Sequence, residues 1–309
     1  MTSEGKKEWV FIVNPTAGNH YAITLIPKIE EEISKHQIDA EIVLTERKGH
    51  ATELAKQFVN SGSKYIVSVG GDGTMNEIAK VLVNNPDVIL GVIPAGTGND
   101  FIQILGFPNR FEEKHWNYFF QKNQTKLDVG NCNGIPFFNG MGLGFDAEVA
   151  AQNYVKEGDV KKGGKDKYIW HIVKTLLFFR EKKMKVIDSE GQHETNCFIN
   201  TISIGRRFAG SFFLTPKAIA NDGLLDVCMI EKLSLLYRFK ILLKVPKGTH
   251  IFDRKVNYYQ TSKIDLEFFT KVPFHVDGEL YFASKFEVNI NPHALNAIYN
   301  PEGDHYLKI

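Results

Sequence analysis

Tyr65-Ile66-Val67-Ser68-Val69-Gly70-Gly71-Asp72-Gly73-Thr74-Met75-Asn76-Glu77-Ile78 passes from an apolar, β-branched segment through three glycines into residues spaced for a helix. Tyr65 to Val69 has the length and composition of a buried strand, and Gly70, Gly71 and Gly73 give the backbone freedom of a tight turn. Thr74 stands three residues before Glu77, the capping-box spacing, which predicts a helix N-terminus there. Met75, Ile78, Ala79, Leu82 and Val83 then share one apolar face. A strand, a glycine turn and a helix start place bare amides and the positive end of a helix dipole where a phosphate can bind. Asp72 would repel that phosphate unless a metal ion lies between them or the acid faces a hydroxyl donor. A phosphate donor with Mg²⁺ and an acceptor nearby meets both demands. A plain glycine turn in an α/β protein is the competing reading.

The same grammar extends to both sides. Trp9 to Val13 reads as a strand, Asn14-Pro15-Thr16-Ala17-Gly18 as a loop that breaks it, and Ile23, Ile26, Ile29 and Ile33 as the apolar side of a helix. Glu41 to Leu44 is a second strand ending at Thr45, and Ala51, Leu54, Ala55, Phe58 and Val59 mark a helix that stops near Gly62. Val88 to Ile93 is a further buried strand, followed by Pro94-Ala95-Gly96-Thr97-Gly98-Asn99-Asp100. Strands alternating with helices predict a parallel sheet with helices on its faces. Ligands of such sheets lie at the carboxyl ends of strands, so the loops at 14–18, 70–74 and 94–100 are expected to converge.

From about Lys126 short strands predominate: Lys126 to Asn131, Pro136 to Met141, Met184 to Ile187, Cys197 to Ile204, Leu224 to Ile230, Lys263 to Phe269 and Phe286 to Ile290. They predict a second domain rich in antiparallel strands, interrupted by helices at Asp166 to Arg180 and Ser234 to Lys244. Glu157 to Lys167 is the one linker-like stretch. The expected division is an α/β domain over residues 1–127 and a β-rich domain over residues 128–309, with a C-terminal tail that packs back on the first.

Composition sets outer limits. The 309 residues are 43% hydrophobic, enough for a sizeable core and two domains. A formal net charge of +1 argues against nucleic-acid binding driven by global basicity. Cys132, Cys197 and Cys228 stand far apart without CxxC spacing and read as reduced core residues. No apolar run approaches the ~20 residues of a membrane span, which places the protein in the cytoplasm or on the inner face of the membrane. Two stretches could hold it on anionic lipid: Ser234 to Lys247, with Leu235, Leu236, Phe239, Leu242 and Leu243 beside Arg238, Lys240, Lys244 and Lys247, and the aromatic segment Tyr168 to Phe179. The alternative for each is a helix packing its apolar face on a core. The oligomeric state stays open, a homodimer included.

There is no G-x-x-x-x-G-K-[ST], D-F-G or H-R-D motif, which disfavours those nucleotide-binding and kinase classes. A G-x-G-x-x-A match at Gly142, Gly144 and Ala147 falls among antiparallel-type strands, so a dinucleotide site is not expected there. Taken together, Gly70 to Thr74 with Asn76-Glu77, Pro94 to Phe101, Asn14-Pro15, Asp128-Val129-Gly130, Asn139-Gly140, Phe145-Asp146-Ala147, Asp222 to Asp226 and His275-Val276-Asp277-Gly278-Glu279 resemble the diacylglycerol kinase catalytic family, its bacterial lipid kinases above all. The Gly-Gly-Asp-Gly-Thr element alone is shared with NAD kinases and phosphofructokinases; the ordered set is far more specific.

The resemblance implies ATP between an N-terminal nucleotide domain and a C-terminal β-sandwich, with γ-phosphoryl transfer to a lipid hydroxyl. Diacylglycerol, phosphatidylglycerol and a sphingoid base all remain open as the acceptor. It places Asn14, Pro15, Thr16, Ala17, Gly18, Thr45, Gly71, Asp72, Gly73, Thr74, Met75, Asn76, Glu77 and Thr97 at the nucleotide, although a hydroxyl closing a strand end would also explain Thr45. It makes Glu279 the proton acceptor, with Asp277 its close competitor and Asp72 and Asp128 as further catalytic acids. Asp277-Gly278 is also an ordinary hairpin signal, and a hairpin tip can present acids. A structural Mg²⁺ would take Asp222 and the carbonyls of Ile219 and Leu224; a turn before a strand is the alternative. After Phe101 relatives commonly continue with a small residue and an arginine where this chain has Ile102 and Gln103. An NAD kinase and a catalytically silent lipid- or nucleotide-binding protein are the rival functions.

Overall fold

The computed structural model describes residues 7–151, 154–156, 159–160, 174–189 and 191–309. It divides into two compact units. The first takes the chain up to Val129 together with Ala220–Asp222 and Pro292–Ile309; the second takes Gly130–Ile219 and Gly223–Asn291. Two long strands, β5 (Gln124–Cys132) and β15 (Glu279–Ile298), each contribute one end to each unit.

In the first unit β1 (Trp9–Val13) is flanked in parallel by β2 (Ala40–Leu44) and β3 (Tyr65–Gly70). β4 (Ile89–Pro94) adds in parallel to β3, and Asn296 and Ala297 of β15 pair in parallel with Ile89 and Leu90. β1, β3 and β4 are buried along their whole length, so their apolar residues run continuously instead of alternating. Helices α1 (Ala17–Thr24), α2 (Ile26–Lys35), α3 (His50–Ser61), α4 (Asp72–Leu82), α5 (Asp100–Ile104) and α6 (Glu113–Phe120) connect them. Trp9 stacks on Tyr65 with ring centroids 4.0 Å apart, and Phe119 and Phe120 of α6 close over Trp9.

Two local expectations change. The isoleucine pattern from Ile23 is split between α1 and α2, and Pro27 sits in the first turn of α2, where a missing amide costs nothing. The Thr74–Glu77 capping box does not form: α4 begins at Asp72 after Gly71, with no side-chain cap. Thr74 Oγ1 instead accepts from Asn14 Nδ2 at 3.0 Å, and Glu77 Oε1 accepts the Gly49 amide at 3.0 Å, so tertiary partners claim both groups. α3 ends where Gly62 turns left-handed at φ 87°.

The second unit is antiparallel. β12 (Leu225–Glu231) lies between β11 (Gly191–Ser203) and β13 (Val256–Thr261). β10 (Lys182–Asp188) and β7 (Gly140–Gly144) each pair with both β11 and β14 (Lys263–Val276), so these four strands close around one core. That core holds Met141, Val186, Ile202, Leu266, Phe274 and Phe286. β12 sends Val227 and Met229 into it and Cys228 and Ile230 into a second core on the opposite face, where Ile241 of the helix Leu235–Leu242 packs. Short strands β6 (Ile135–Phe137), β8 (Tyr154–Lys156) and β9 (Asp159–Val160) and helix α7 (Phe145–Ala151) complete the named elements. β8, β9, β13, α5, α6 and α7 have no counterpart in the sequence reading. Most of the linker-like Glu157 to Lys167 and of the helix from Asp166 lies outside the described residues, although Asp159–Val160 form β9 and 174–178 are helical. Cys132, Cys197 and Cys228 are free and buried, and burial pushes the Cys132 and Cys228 thiols up to about 12.

A charged anchor holds the segment after the helix Leu235–Leu242. Asp253 takes the Lys244 ammonium at 2.8 Å and the Tyr237 hydroxyl at 2.7 Å. The Lys244 hydrogen bond, with Tyr237 and the Lys255 amide, holds its carboxyl down at about 2. A depressed carboxylate stabilises above its unfolded value, about 3.9, and loses that stabilisation as pH falls through its folded value. Asp253→Asn should therefore lower the unfolding midpoint at neutral pH, and variant and wild type should converge near pH 2. A gap of equal size at every pH would show that the charge contributes nothing.

Candidate functional site

The three strand-end loops of the first unit meet, and glycine makes the meeting possible. A Cβ on Gly18 would stand 1.9 Å from the Ala95 carbonyl oxygen, and Gly18, Asn19 and His20 run left-handed at φ 60°, 55° and 68°. A Cβ on Gly96 would come within 2.5 Å of the Gly71 Cα, so those two backbones touch where no side chain fits. Hydrogen bonds complete the lock. The Ala95 amide donates to the Gly70 carbonyl at 2.7 Å, and Asn14 joins Thr74 to its own loop by accepting from the Thr16 amide and hydroxyl. Asn99, left-handed at φ 56°, exchanges two bonds of 3.0 Å with Gly96. The Thr45 amide donates to the Val13 carbonyl at 2.9 Å, which brings the end of β2 beside the end of β1.

Within this lock the residues named from the sequence separate into two kinds. Thr74, Met75 and Asn76 are buried in the first turns of α4, and Thr45 is buried at its strand end. Thr16, Gly73 and Thr97 are exposed, and no atom lies within 4 Å of a Cβ built on Gly73. Within the protein the close backbone approach is made by Gly71 and Gly96, while Gly73 leaves open space at the start of α4. Pro15 and Ala17 are half-buried, and Glu77 is directed to Gly49.

Asp72 is the acid of the lock. Its Oδ2 accepts the Asp100 amide at 3.2 Å and its Oδ1 the Phe101 amide at 3.3 Å, which caps α5 across loops. Burial raises its pKa above the ordinary carboxylate value, and the amides of Asp100, Phe101 and Asn99 oppose the rise. A carboxylate has about four lone-pair sites, so these two bonds leave acceptor capacity. Asp128 is fully buried and accepts the His293 amide at 2.8 Å, holding that residue at φ 55° in β15. Its geometry is that of a residue fixing backbone.

In the second unit Asp277 and Gly278 form the two-residue turn between β14 and β15, with φ 45° and 86°. The two acids of this hairpin have different surroundings. Asp277 accepts three backbone amides, from Phe138 at 2.8 Å, Asn139 at 3.0 Å and Gly140 at 2.9 Å. Glu279 is half-buried and its Oε2 accepts the Tyr281 hydroxyl at 2.9 Å.

A pair that the sequence reading missed joins β14 to α7. His275 Nε2 lies 3.1 Å from Asp146 Oδ2, and a Cβ on Gly142, opposite His275 in the sheet, would collide with both. Asp146 Oδ1 and His275 Nδ1 are buried without a hydrogen-bond partner. The signal was present as Gly142 in the rejected glycine pattern: the glycine clears space for this pair. Gly144 is required by its own φ of 93° and by the Phe198 carbonyl, 2.3 Å from a Cβ placed there.

Asp222 precedes Gly223, left-handed at φ 78°, in a half-buried turn. The Ala220 amide donates to the Tyr306 carbonyl, and the Asn221 side chain exchanges two bonds with the Lys308 backbone. Among the described residues no cluster of three His, Cys, Asp or Glu side chains forms. One carboxylate with the carbonyls of Ile219 and Leu224 is an all-oxygen donor set, whose chemistry suits Mg²⁺. Gln103 donates to Asn109 at 2.9 Å, and Arg110 lays its guanidinium 3.7 Å from the Tyr21 ring centroid on α1, so a cation reaches the helix that begins at the first loop. A cavity of about 350 Å³ in the same unit, between Gln103, Phe107, His115, Tyr118, Asn300 and Gly303, includes no residue of the three loops.

Comparison with known proteins follows this division. Residues 8–132 match the family described as Diacylglycerol kinase catalytic domain, and residues 140–299 match the YegS C-terminal NAD kinase beta sandwich-like domain. A Diacylglycerol kinase of Staphylococcus aureus (strain JH9) is 26% identical over 315 residues, covering 96% of this chain and 95% of that protein. One from Staphylococcus haemolyticus (strain JCSC1435) is 26% identical over 279 residues, covering 87% and 81%. Two crystal structures from Bacillus anthracis str. Sterne share the fold. One has a TM-score of 0.78 at 24% identity over 97% of this chain and 98% of its own. The other, titled a diacylglycerol kinase, has a TM-score of 0.71 at 20% identity over 97% and 98%. With both parts matched in order, the chain belongs to the diacylglycerol kinase catalytic-domain family and carries its YegS-type β-sandwich-like C-terminal domain.

Proposed function

We propose that this chain is an ATP- and Mg²⁺-dependent lipid kinase that transfers the γ-phosphoryl group to the hydroxyl of diacylglycerol or of a lipid with a similar free alcohol. The observation that carries the reading is the interlocked set of glycine loops, with exposed Thr16, Gly73 and Thr97 at the carboxyl ends of parallel strands. ATP supplies the transferable phosphoryl group, and Mg²⁺ neutralises phosphate charge. The start of α4, uncapped by any side chain, offers amides and dipole to the phosphates, and the bare Cα of Gly73 lets them approach. Asp72 holds the Pro94–Phe101 loop by its two amide contacts and keeps acceptor sites for a hydroxyl or an ordered water. Asp128 positions backbone, and Asp222 with the carbonyls of Ile219 and Leu224 would hold a structural Mg²⁺.

Glu279 is the proposed proton acceptor. As the lipid oxygen forms its bond to phosphorus, the hydroxyl proton passes to the Glu279 carboxylate and the bond to the leaving diphosphate breaks. Tyr281 orients that carboxylate through its 2.9 Å bond. Asp277 is assigned to structure, because its carboxylate ties three backbone amides at the start of β7 to the β14–β15 turn. The test is phosphoryl transfer by the purified protein from ATP with Mg²⁺ to diacylglycerol, phosphatidylglycerol or sphingosine in mixed micelles, with NAD as the soluble competitor. Transfer to none of the lipids by folded protein would overturn the reading, and transfer to NAD alone would replace it.

Four substitutions separate the roles. Glu279→Gln should slow turnover by about 10² to 10⁴-fold with the unfolding midpoint unchanged, whereas near-normal turnover would remove Glu279 from the chemistry. Asp277→Asn should cost about 1–3 kcal/mol of stability by leaving amides without acceptors; an undiminished denaturation midpoint with lost turnover would make Asp277 the base. Gly73→Val should leave stability nearly unchanged and raise KM for ATP, while Gly18→Ala should disrupt folding through its clash with Ala95. Equal effects of those two glycine changes on stability would contradict the assignment of open space at Gly73.

A further inference from the structure

The helix Leu235–Leu242 is fixed on one side and bare on the other. Ile241 is buried in the second core, and Arg238 is held by the Leu176 carbonyl at 2.7 Å, the Phe179 carbonyl at 3.1 Å and Glu181 at 2.7 Å. Opposite them stand Leu236, 83% exposed, and Leu243, 78% exposed, with Leu235 and Phe239 exposed between. Leu236, Phe239 and Leu243 are spaced three and seven apart and so share one side of the helix. An apolar stripe of this size in water is a contact surface waiting for a partner. Phe252, 76% exposed, adds an aromatic ring beside it, since Asp253 ties that turn to Tyr237 and Lys244.

Charge identifies the partner. From Lys232 to Phe252 the chain has no Asp or Glu. Of the cations in that stretch, Arg238 and Lys244 turn to Glu181 and Asp253, while Lys232, Lys240 and Lys247 are exposed, and Lys217 lies 5.4 Å over the Phe252 ring. We infer that the outward side of Leu235–Leu243, with its rim of lysines, docks on the surface of an anionic lipid bilayer. Leucines and an aromatic ring enter the headgroup boundary while ammonium groups meet lipid phosphate. A second copy is a poor occupant, because a two-fold contact would press like charges together. This goes beyond the catalytic reading and does not depend on it. Of the two stretches that could hold the protein on anionic lipid, Ser234 to Lys247 packs Ile241 on a core, turns Arg238 and Lys244 to acids, and leaves Leu236 and Leu243 exposed. The first half of the other, Tyr168 to Phe179, lies outside the described residues, and Leu177 and Phe178 at its end are exposed.

The test is sedimentation of the whole protein with vesicles of phosphatidylcholine, alone or with phosphatidylglycerol admixed. Binding should require the anionic lipid and weaken as salt rises. Leu236→Ser with Leu243→Ser, both at exposed positions, should lower vesicle affinity by at least about tenfold, and Lys240→Glu with Lys247→Glu by at least about tenfold as well. Leu236→Trp gives a second readout, a blue-shifted emission on anionic vesicles. Unchanged binding by the leucine pair, equal binding to neutral vesicles, or a solution dimer broken by the same substitutions would each overturn the proposal. A protein that binds vesicles but phosphorylates none of the acceptors refutes the catalytic reading alone. One that phosphorylates lipid in micelles but ignores vesicles refutes this one alone.

Discussion

The meeting of the Gly71 and Gly96 backbones is the constraint on which the first unit depends. Two strand-end loops can come this close, main chain against main chain, only where both residues lack a Cβ. Once they do, the other restraints can form: Ala95 to Gly70, Asp72 to the start of α5, and Gly18 against the Ala95 carbonyl. The start of α4 is left without a side-chain cap as a result, because Thr74, the residue spaced to cap it, is drawn to Asn14. A helix start without a side-chain cap is the feature on which the proposed phosphate site rests.

The second unit has an analogous centre in Asp277. Its carboxylate gathers the amides of Phe138, Asn139 and Gly140, so the β14–β15 turn is bound to the start of β7. Residues distant in the chain are held in register by one acid, and Glu279 stands in the next strand position with Tyr281 on its carboxylate. Gly142 then clears the space in which Asp146 and His275 meet. These acids thus have distinct work. One binds backbone amides and the other a tyrosine hydroxyl, a separation that the shared Asp-Gly-Glu motif conceals.

Much of this was legible in the residues. The strand-loop-helix order from Trp9 to Asp100 follows from apolar runs and glycine positions, and the second half's short strands follow from β-branched runs between turn residues. The three loops could be named because each follows a predicted strand end. What failed were inferences from a local pattern with a nonlocal competitor. Thr74–Glu77 has the capping-box spacing, yet Asn14 and Gly49, each more than twenty residues away in sequence, take those side chains. β13 (Val256–Thr261), with Asn257 and Gln260 among its tyrosines, gave too weak an apolar signal to be read as a strand.

The sequence by itself determined which residues could bend, which could fill a core and which could carry a proton or meet a phosphate. Those properties are local: a missing Cβ, a β-branched side chain, a carboxylate. Tertiary structure decided the partners. Only in the fold does Gly73 face open space while Gly71 meets backbone, Asp277 fill with amides while Glu279 bonds to a tyrosine, and Arg238 turn inward while Leu236 and Leu243 remain in water. The reason is physical: a side chain's burial and hydrogen bonds depend on what distant segments bring to it, and neighbouring residues of like chemistry can be brought to opposite surroundings.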